Sequence, residues 1–192
     1  MRNLLNCHVK GLHSFPISFE NGLYRRIFYA DTDHKLYSRV EDIAIHPHHC
    51  DIKITVLDGY LQNLVWELTE DDEPTGYQFN SYKWNSHINT GNGGFEYLGR
   101  QYLKFSHIDH LMPDSKHLIN SVTLKSCELH TVYLQKGNKC VWLIEEEIPS
   151  CEYFPINYSR RDLATWTPDG LYIEVGDDIK EKYIREYLHL IK

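Results

Sequence analysis

Apolar and polar positions alternate with a period of two along much of this chain, as in strands with one face buried. The clearest run is Cys50-Asp51-Ile52-Lys53-Ile54-Thr55-Val56-Leu57-Asp58-Gly59, preceded by His46-Pro47-His48-His49. If the whole stretch is extended, His46 and His48 point the same way as Cys50, Ile52, Ile54 and Val56, while Pro47, His49, Asp51, Lys53 and Thr55 point outward. Asp58-Gly59 reads as a hairpin turn into a partner strand over residues 60–68. Further strand patterns fall at 23–29, 77–84, 95–105 (interrupted near Gly99), 117–119, 122–124, 129–134 and 140–144, the last ended by Glu145-Glu146-Glu147. Residues 70–76 read as an acidic turn. Residues 89–94 read as a hairpin loop, because they lack the pattern that cradles phosphate.

Near the end the period changes. Ile179, Tyr183, Ile184, Tyr187, Leu188 and Ile191 recur at helical spacing behind Asp177-Asp178, a candidate N-cap. One amphipathic helix is predicted there, packed on the core or on a second subunit. Many short strands with turn signals every eight to twelve residues or so predict an all-β sandwich or barrel, which also disposes of open sheet edges. The expected organisation is one domain: an N-terminal extension (1–22), a β-barrel (23–148) and a C-terminal wrapping segment with the helix (149–192).

Composition narrows the function. The chain has 192 residues and a formal net charge of −7, so no dominant basic field would attract nucleic acid. Its five cysteines, an odd number without C-x-x-C spacing, argue against a disulfide framework and for a reducing cytoplasm. No apolar run approaches the roughly 20 residues of a membrane span, so no membrane partner is expected.

Histidine carries the candidate chemistry. His46-x-His48, ten intervening residues and then Gly59, followed much later by Leu129-His130-Thr131-Val132, resembles the two motifs of the cupin superfamily. The resemblance implies a cupin-like jelly-roll β-barrel with the C-terminal α-helix appended, and it implies that His46, His48 and His130 converge on one metal ion. The cupin glutamate, four residues after the second histidine, falls on Ile52. The Pro and Gly before the last histidine fall on Lys125 and Cys127, and the asparagine after it on Leu134. The set is therefore similar to the three-histidine, cysteine dioxygenase-like branch.

Three neutral imidazoles bind a divalent first-row metal and leave positions open. Fe(II) is the first expectation, with Zn, Ni or Mn as alternatives. The implied activity is that of a mononuclear non-haem iron dioxygenase on a small anionic or thiol substrate. A non-catalytic cupin holding a nucleotide or sugar derivative, or a Zn/Ni/Mn-dependent isomerase, stands as the alternative. Candidate substrate contacts are Arg25, Arg39, Cys50, Tyr133 and Trp142, with Arg26 a third candidate anion anchor. The cysteine that branch cross-links to a tyrosine would fall on Lys53, so no cross-link is expected. A homodimer is expected from cupin habit and the amphipathic segment.

Competing readings were weighed on the same residues. His107, His110 and His117 form a second possible ligand set if 107–110 makes a helical turn. Cys127 and His130, an odd separation apart on a strand, fall on opposite faces. Asp31 and Asp33 are loop residues that would cap a turn or act as acids near the barrel mouth.

Overall fold

The computed structural model describes residues 2–7, 11–30, 43–69, 76–84, 95–135, 137–147, 156–160, 162–163 and 173–191. Among these residues twelve strands form, in order, β1 (Asn3–Leu5), β2 (Leu12–Glu20), β3 (Leu23–Ala30), β4 (Ile52–Asp58), β5 (Leu61–Thr69), β6 (Tyr77–Trp84), β7 (Phe95–Leu111), β8 (Ser121–Leu124), β9 (Leu129–Tyr133), β10 (Cys140–Glu147), β11 (Ile156–Ser159) and β12 (Ile173–Val175). One helix, α1 (Asp177–Ile184), is continued by a 3-10 segment, Arg185–Leu190. The all-β reading with a C-terminal helix holds.

The strands make a seven-stranded antiparallel sheet, β12-β1-β2-β3-β10-β4-β8, and a five-stranded one, β11-β6-β7-β5-β9. A short bridge at Ile45–His46 joins β9 and Tyr158 of β11. From β3 the chain passes to this bridge, then to β4, to β5 and β7, to β8, to β9 and back to β10. It thus crosses between the sheets again and again, which is the path of a jelly roll. Residues 1–22 contribute β1 and β2 to the larger sheet, beside β3.

The core lies between the sheets. Leu12, Ala30, Ile52, Ile54, Val56 and Leu124 from the large sheet meet Leu61, Val65 and Leu111 from the small one. The alternation in β4 holds: Ile52, Ile54 and Val56 are buried, whereas Asp51 and Lys53 are exposed. β10 is apolar on both faces because both are covered. Cys140, Trp142 and Ile144 face the inner core, while Val141 packs with Phe15, Ile27, Ile184 and Tyr187 beneath the helix. The helix therefore spends its apolar side on its own sheet. Gly176, not Asp177 or Asp178, is the N-cap, and the two aspartates fill the first turn, where carboxylates suit the helix dipole.

Several sequence expectations are corrected. Residues 46–58 are not one strand: pairing stops after His46 and resumes at Ile52, so the chain changes sheets between them. Asp58-Gly59 is not a hairpin turn, because β4 pairs with β10 and β8 while β5 pairs with β7 and β9. Gly59 has φ +82, and a Cβ there would run into the Lys139 carbonyl oxygen. The glycine is required by conformation and by close approach, which an Asp-Gly pair signals without naming the next strand's partner. Gly99 does not interrupt β7, whose register shifts locally opposite Ser81 and Tyr82. Glu145–Glu147 extend β10 rather than end it.

Candidate metal centre

His46 and His130 sit opposite each other on neighbouring strand segments. His46 N–H donates to His130 O at 2.9 Å and His130 N–H to His46 O at 3.0 Å, a bonded pair whose side chains share a face. His48 follows Pro47 on the crossing between sheets, and its carbonyl is fastened by Cys127 N–H at 2.8 Å. The three rings converge, with centroids 4.9 to 5.1 Å apart. One ring nitrogen from each lies within 4.8 Å of the others. His48 Nε2 and His130 Nε2 are 3.0 Å apart.

The back of each ring faces an oxygen. His46 Nδ1 meets Ala44 O at 2.9 Å; a carbonyl only accepts, so a proton sits on Nδ1 and Nε2 is the nitrogen that could ligate. His130 Nδ1 meets Asn63 Oδ1 at 2.8 Å, and Asn63 Nδ2 donates to Asp109 Oδ2 at 2.9 Å. His48 Nδ1 is 3.7 Å from Glu146 Oε1, a charge approach rather than a hydrogen bond. Oxygen partners behind imidazoles are the usual support of metal-ligating histidines. His130 is 2% exposed. Burial first, and then the neighbouring His46 and His48, push its pKa well below the usual imidazole value, so it stays neutral and able to ligate. Three neutral imidazoles without a thiolate suit Fe, Ni, Zn or Cu, and the arrangement fits a single such ion.

Two of the candidate substrate contacts, Trp142 and Cys50, belong to the apolar inner core. Trp142 is buried and stacks on Phe28 at 5.3 Å. Cys50 is buried in the same cluster; burial, then the charges of Glu146 and Asp51, push its thiol up to about 11, so it is a protonated wall residue rather than a thiolate. Arg25 projects from the opposite face of the large sheet, where it binds Glu145 at 2.9 Å. That face does not meet the histidines, which corrects its candidacy as an anion anchor. Arg26 is on the inner face, held by Ser14, by Tyr24 Oη at 2.6 Å and by the Arg2 carbonyl at 2.9 Å. Tyr133 differs from His130 by an odd number on β9 and falls on the other face, so its candidacy is corrected too. Arg39, Asp31 and Asp33 lie outside the described residues, as do the loops at 70–75 and 85–94 and most of the segment at 149–172.

The rival histidines do not meet. Residues 107–110 belong to β7, not to a helical turn, so i and i+3 diverge. His107 approaches Asp109 at 3.8 Å, and His110 bonds Tyr60. Cys127 is exposed on a turn before β9, not on the strand, and His130 is buried, so their separation does not come from strand alternation. Among the described residues the only group of three or more potential ligands that converges is His46, His48 and His130. Asn63, Asp109 and Glu146 were missed at the level of sequence. For Asn63 a signal existed: it is a lone polar residue at an inward position between Leu61 and Val65.

Fold and centre together define a jelly roll in which three histidines, placed so that they could hold a metal ion, converge. No model of a known protein family and no curated protein matches the chain. Solved structures do. Hydroxypropylphosphonic acid epoxidase from S. wedmorenis is similar over 77% of this chain at 13% identity, with a TM-score of 0.37. The chain spans 55% of that enzyme's length. A cupin superfamily protein from Desulfitobacterium hafniense DCB-2 is similar over 71% of this chain and 77% of its own, at 8% identity and a TM-score of 0.33. A structure of FeII HppE is similar over 75% of this chain and 55% of its own, at 13% identity and a TM-score of 0.36. No helix among the described residues is long and apolar enough to cross a membrane.

Proposed function

We propose that this protein binds one divalent metal ion, Fe(II) in the first place, through His46, His48 and His130, and uses it in the oxygen-dependent oxidation of a small anionic or thiol substrate. The observation that supports this reading is the convergence of three imidazoles with their other ring nitrogens turned to oxygens. An Fe(II) ion held there would supply a redox-capable, Lewis-acidic centre with open coordination positions. The chain does the rest. Three neutral ligands leave the ion's charge uncancelled, which favours an anionic or ionisable substrate group. The strand pairing of His46 with His130 fixes two of the three ligands before anything binds.

The test is element analysis of protein purified without a histidine tag, followed by oxygen uptake with a panel of small thiols and carboxylates. About one iron per chain with substrate-dependent oxygen consumption supports the reading. Zinc, nickel or manganese at the same stoichiometry without oxygen uptake would redirect it to an isomerase-like role. Protein that folds but takes up no metal would leave a non-catalytic binding module.

A further inference from the structure

We propose that Asp109, acting through Asn63, selects the tautomer of His130, so that both are positioning residues for the histidine cluster. Asn63 is fully buried. Its amide is sandwiched between His130 Nδ1, 2.8 Å from Oδ1, and Asp109 Oδ2, 2.9 Å from Nδ2. Taken alone, the Asn63–His130 pair can be satisfied in two ways. Either Nδ1–H donates to the amide oxygen, or the amide nitrogen, rotated into its place, donates to a bare Nδ1. The second arrangement puts the ring proton on Nε2, the atom that lies 3.0 Å from His48 Nε2, and removes the lone pair a metal needs. A carboxylate accepts and does not donate. Asp109 therefore holds Nδ2 on its own side, turns Oδ1 to the histidine and leaves Nδ1–H as the only fit.

The register secures the geometry. Asn63 of β5 pairs directly with Asp109 of β7 on one side, and Val65 pairs with His130 of β9 on the other. Three adjacent strands thus carry the three members of the relay, with His130 on the diagonal from Asn63, two residues from its direct partner Val132. The other oxygen of Asp109 faces the exposed His107 at 3.8 Å, so the relay reaches from the cluster to the surface. Burial gives the choice its weight, because either mismatched arrangement leaves a polar group unpaired in the core.

The consequence for metal affinity rests on the metal-binding reading above; the tautomer does not, and the two are measured separately. Nitrogen-15 correlation spectra of imidazoles in the metal-free full chain report where each ring proton sits. His130 is expected with its proton on Nδ1 in the native protein. In Asp109→Leu the Nε2–H form is expected to appear, and Co(II) affinity, measured by titration, to fall about 10- to 100-fold, the usual range for loss of such a partner. The exchanged pair Asn63→Asp with Asp109→Asn places a carboxylate, which only accepts, directly against His130 and an amide donor behind it, so it is expected to keep the Nδ1–H form. A native His130 protonated on Nε2 overturns the proposal even if every variant fails to fold. So does a folded Asp109→Leu with the native tautomer. A tautomer that shifts as stated in a protein that binds no Co(II) upholds the relay and rejects the metal reading.

Discussion

Two groups of three histidines lie in this chain, and only one of them converges. His46, His48 and His130 come from three separate places: a bridge, a crossing and a strand. His107, His110 and His117 sit within eleven residues of each other. The distant group converges and the close group disperses. Proximity in sequence is therefore the wrong guide on a β scaffold. In a strand, i and i+3 face apart, whereas residues paired across strands face together whatever their separation. The second difference is what stands behind the rings. His130 has a buried hydrogen-bond partner and His46 a part-buried one on their outer nitrogens, while the bonds of His107 to Ser106 and of His110 to Tyr60 are exposed. A ring held from behind presents one lone pair in a fixed direction; a solvated ring presents none in particular.

The largest expected effect breaks this contrast at its centre. His130→Ala should take metal content from about one ion per chain to none, and His110→Ala should leave it unchanged. Element analysis of both proteins decides the matter. Metal retained in His130→Ala, or lost in His110→Ala, would remove the distinction between the groups.

The sequence revealed the members of the inner group but not the path that joins them. Period-two alternation from Cys50 to Val56 picked out the buried face of β4, Ile52, Ile54 and Val56, and its exposed residues Asp51 and Lys53, whereas Thr55 is half-buried. The same alternation concealed the change of sheet between His46 and Ile52, and it failed inside that crossing, where Pro47, expected outward, is buried. Which strand pairs with which is a long-range property, and turn residues such as Asp58-Gly59 report a backbone conformation only. Asn63 and Asp109 were invisible for the same reason. Nothing local to either residue shows that they will be neighbours, although a polar residue between Leu61 and Val65 on an inward strand position is a signal that some buried partner exists.

A second, smaller effect compares the packing of the inner face with that of the outer one. Trp142 is buried and stacked on Phe28, and it lies on the same face of β10 as Glu146. Trp142→Ala is expected to cost about 3–5 kcal/mol of stability, the range for large aromatic truncations in a core, read by denaturant unfolding of the metal-free protein. Phe105→Ala removes an aromatic ring that is 40% exposed on β7, the strand of the dispersed group, and should cost much less. Equal losses at the two positions would mean that the inner face is no better packed than the outer one.

The smallest effect separates two adjacent carboxylates. Glu145 and Glu146 follow one another on β10 and so face opposite ways. Glu145 is paired with Arg25 at 2.9 Å and Lys53 at 3.7 Å, on the face away from the histidines. Glu146 looks inward, 3.7 Å from His48 Nδ1, and burial holds its carboxyl above the usual value against the opposing pull of His49 and Arg26. A negative charge at that place partly replaces the ligand carboxylate that Ile52 cannot provide, but from behind the ligand rather than on the ion. Because 3.7 Å is beyond a hydrogen bond, Glu146→Gln should weaken Co(II) binding at the low end of the range for such partners, about tenfold. Glu145→Gln removes the same charge from the same strand and should leave binding within experimental error. If the two variants weaken binding equally, the effect is one of net charge alone, and the facing of β10 has nothing to do with it.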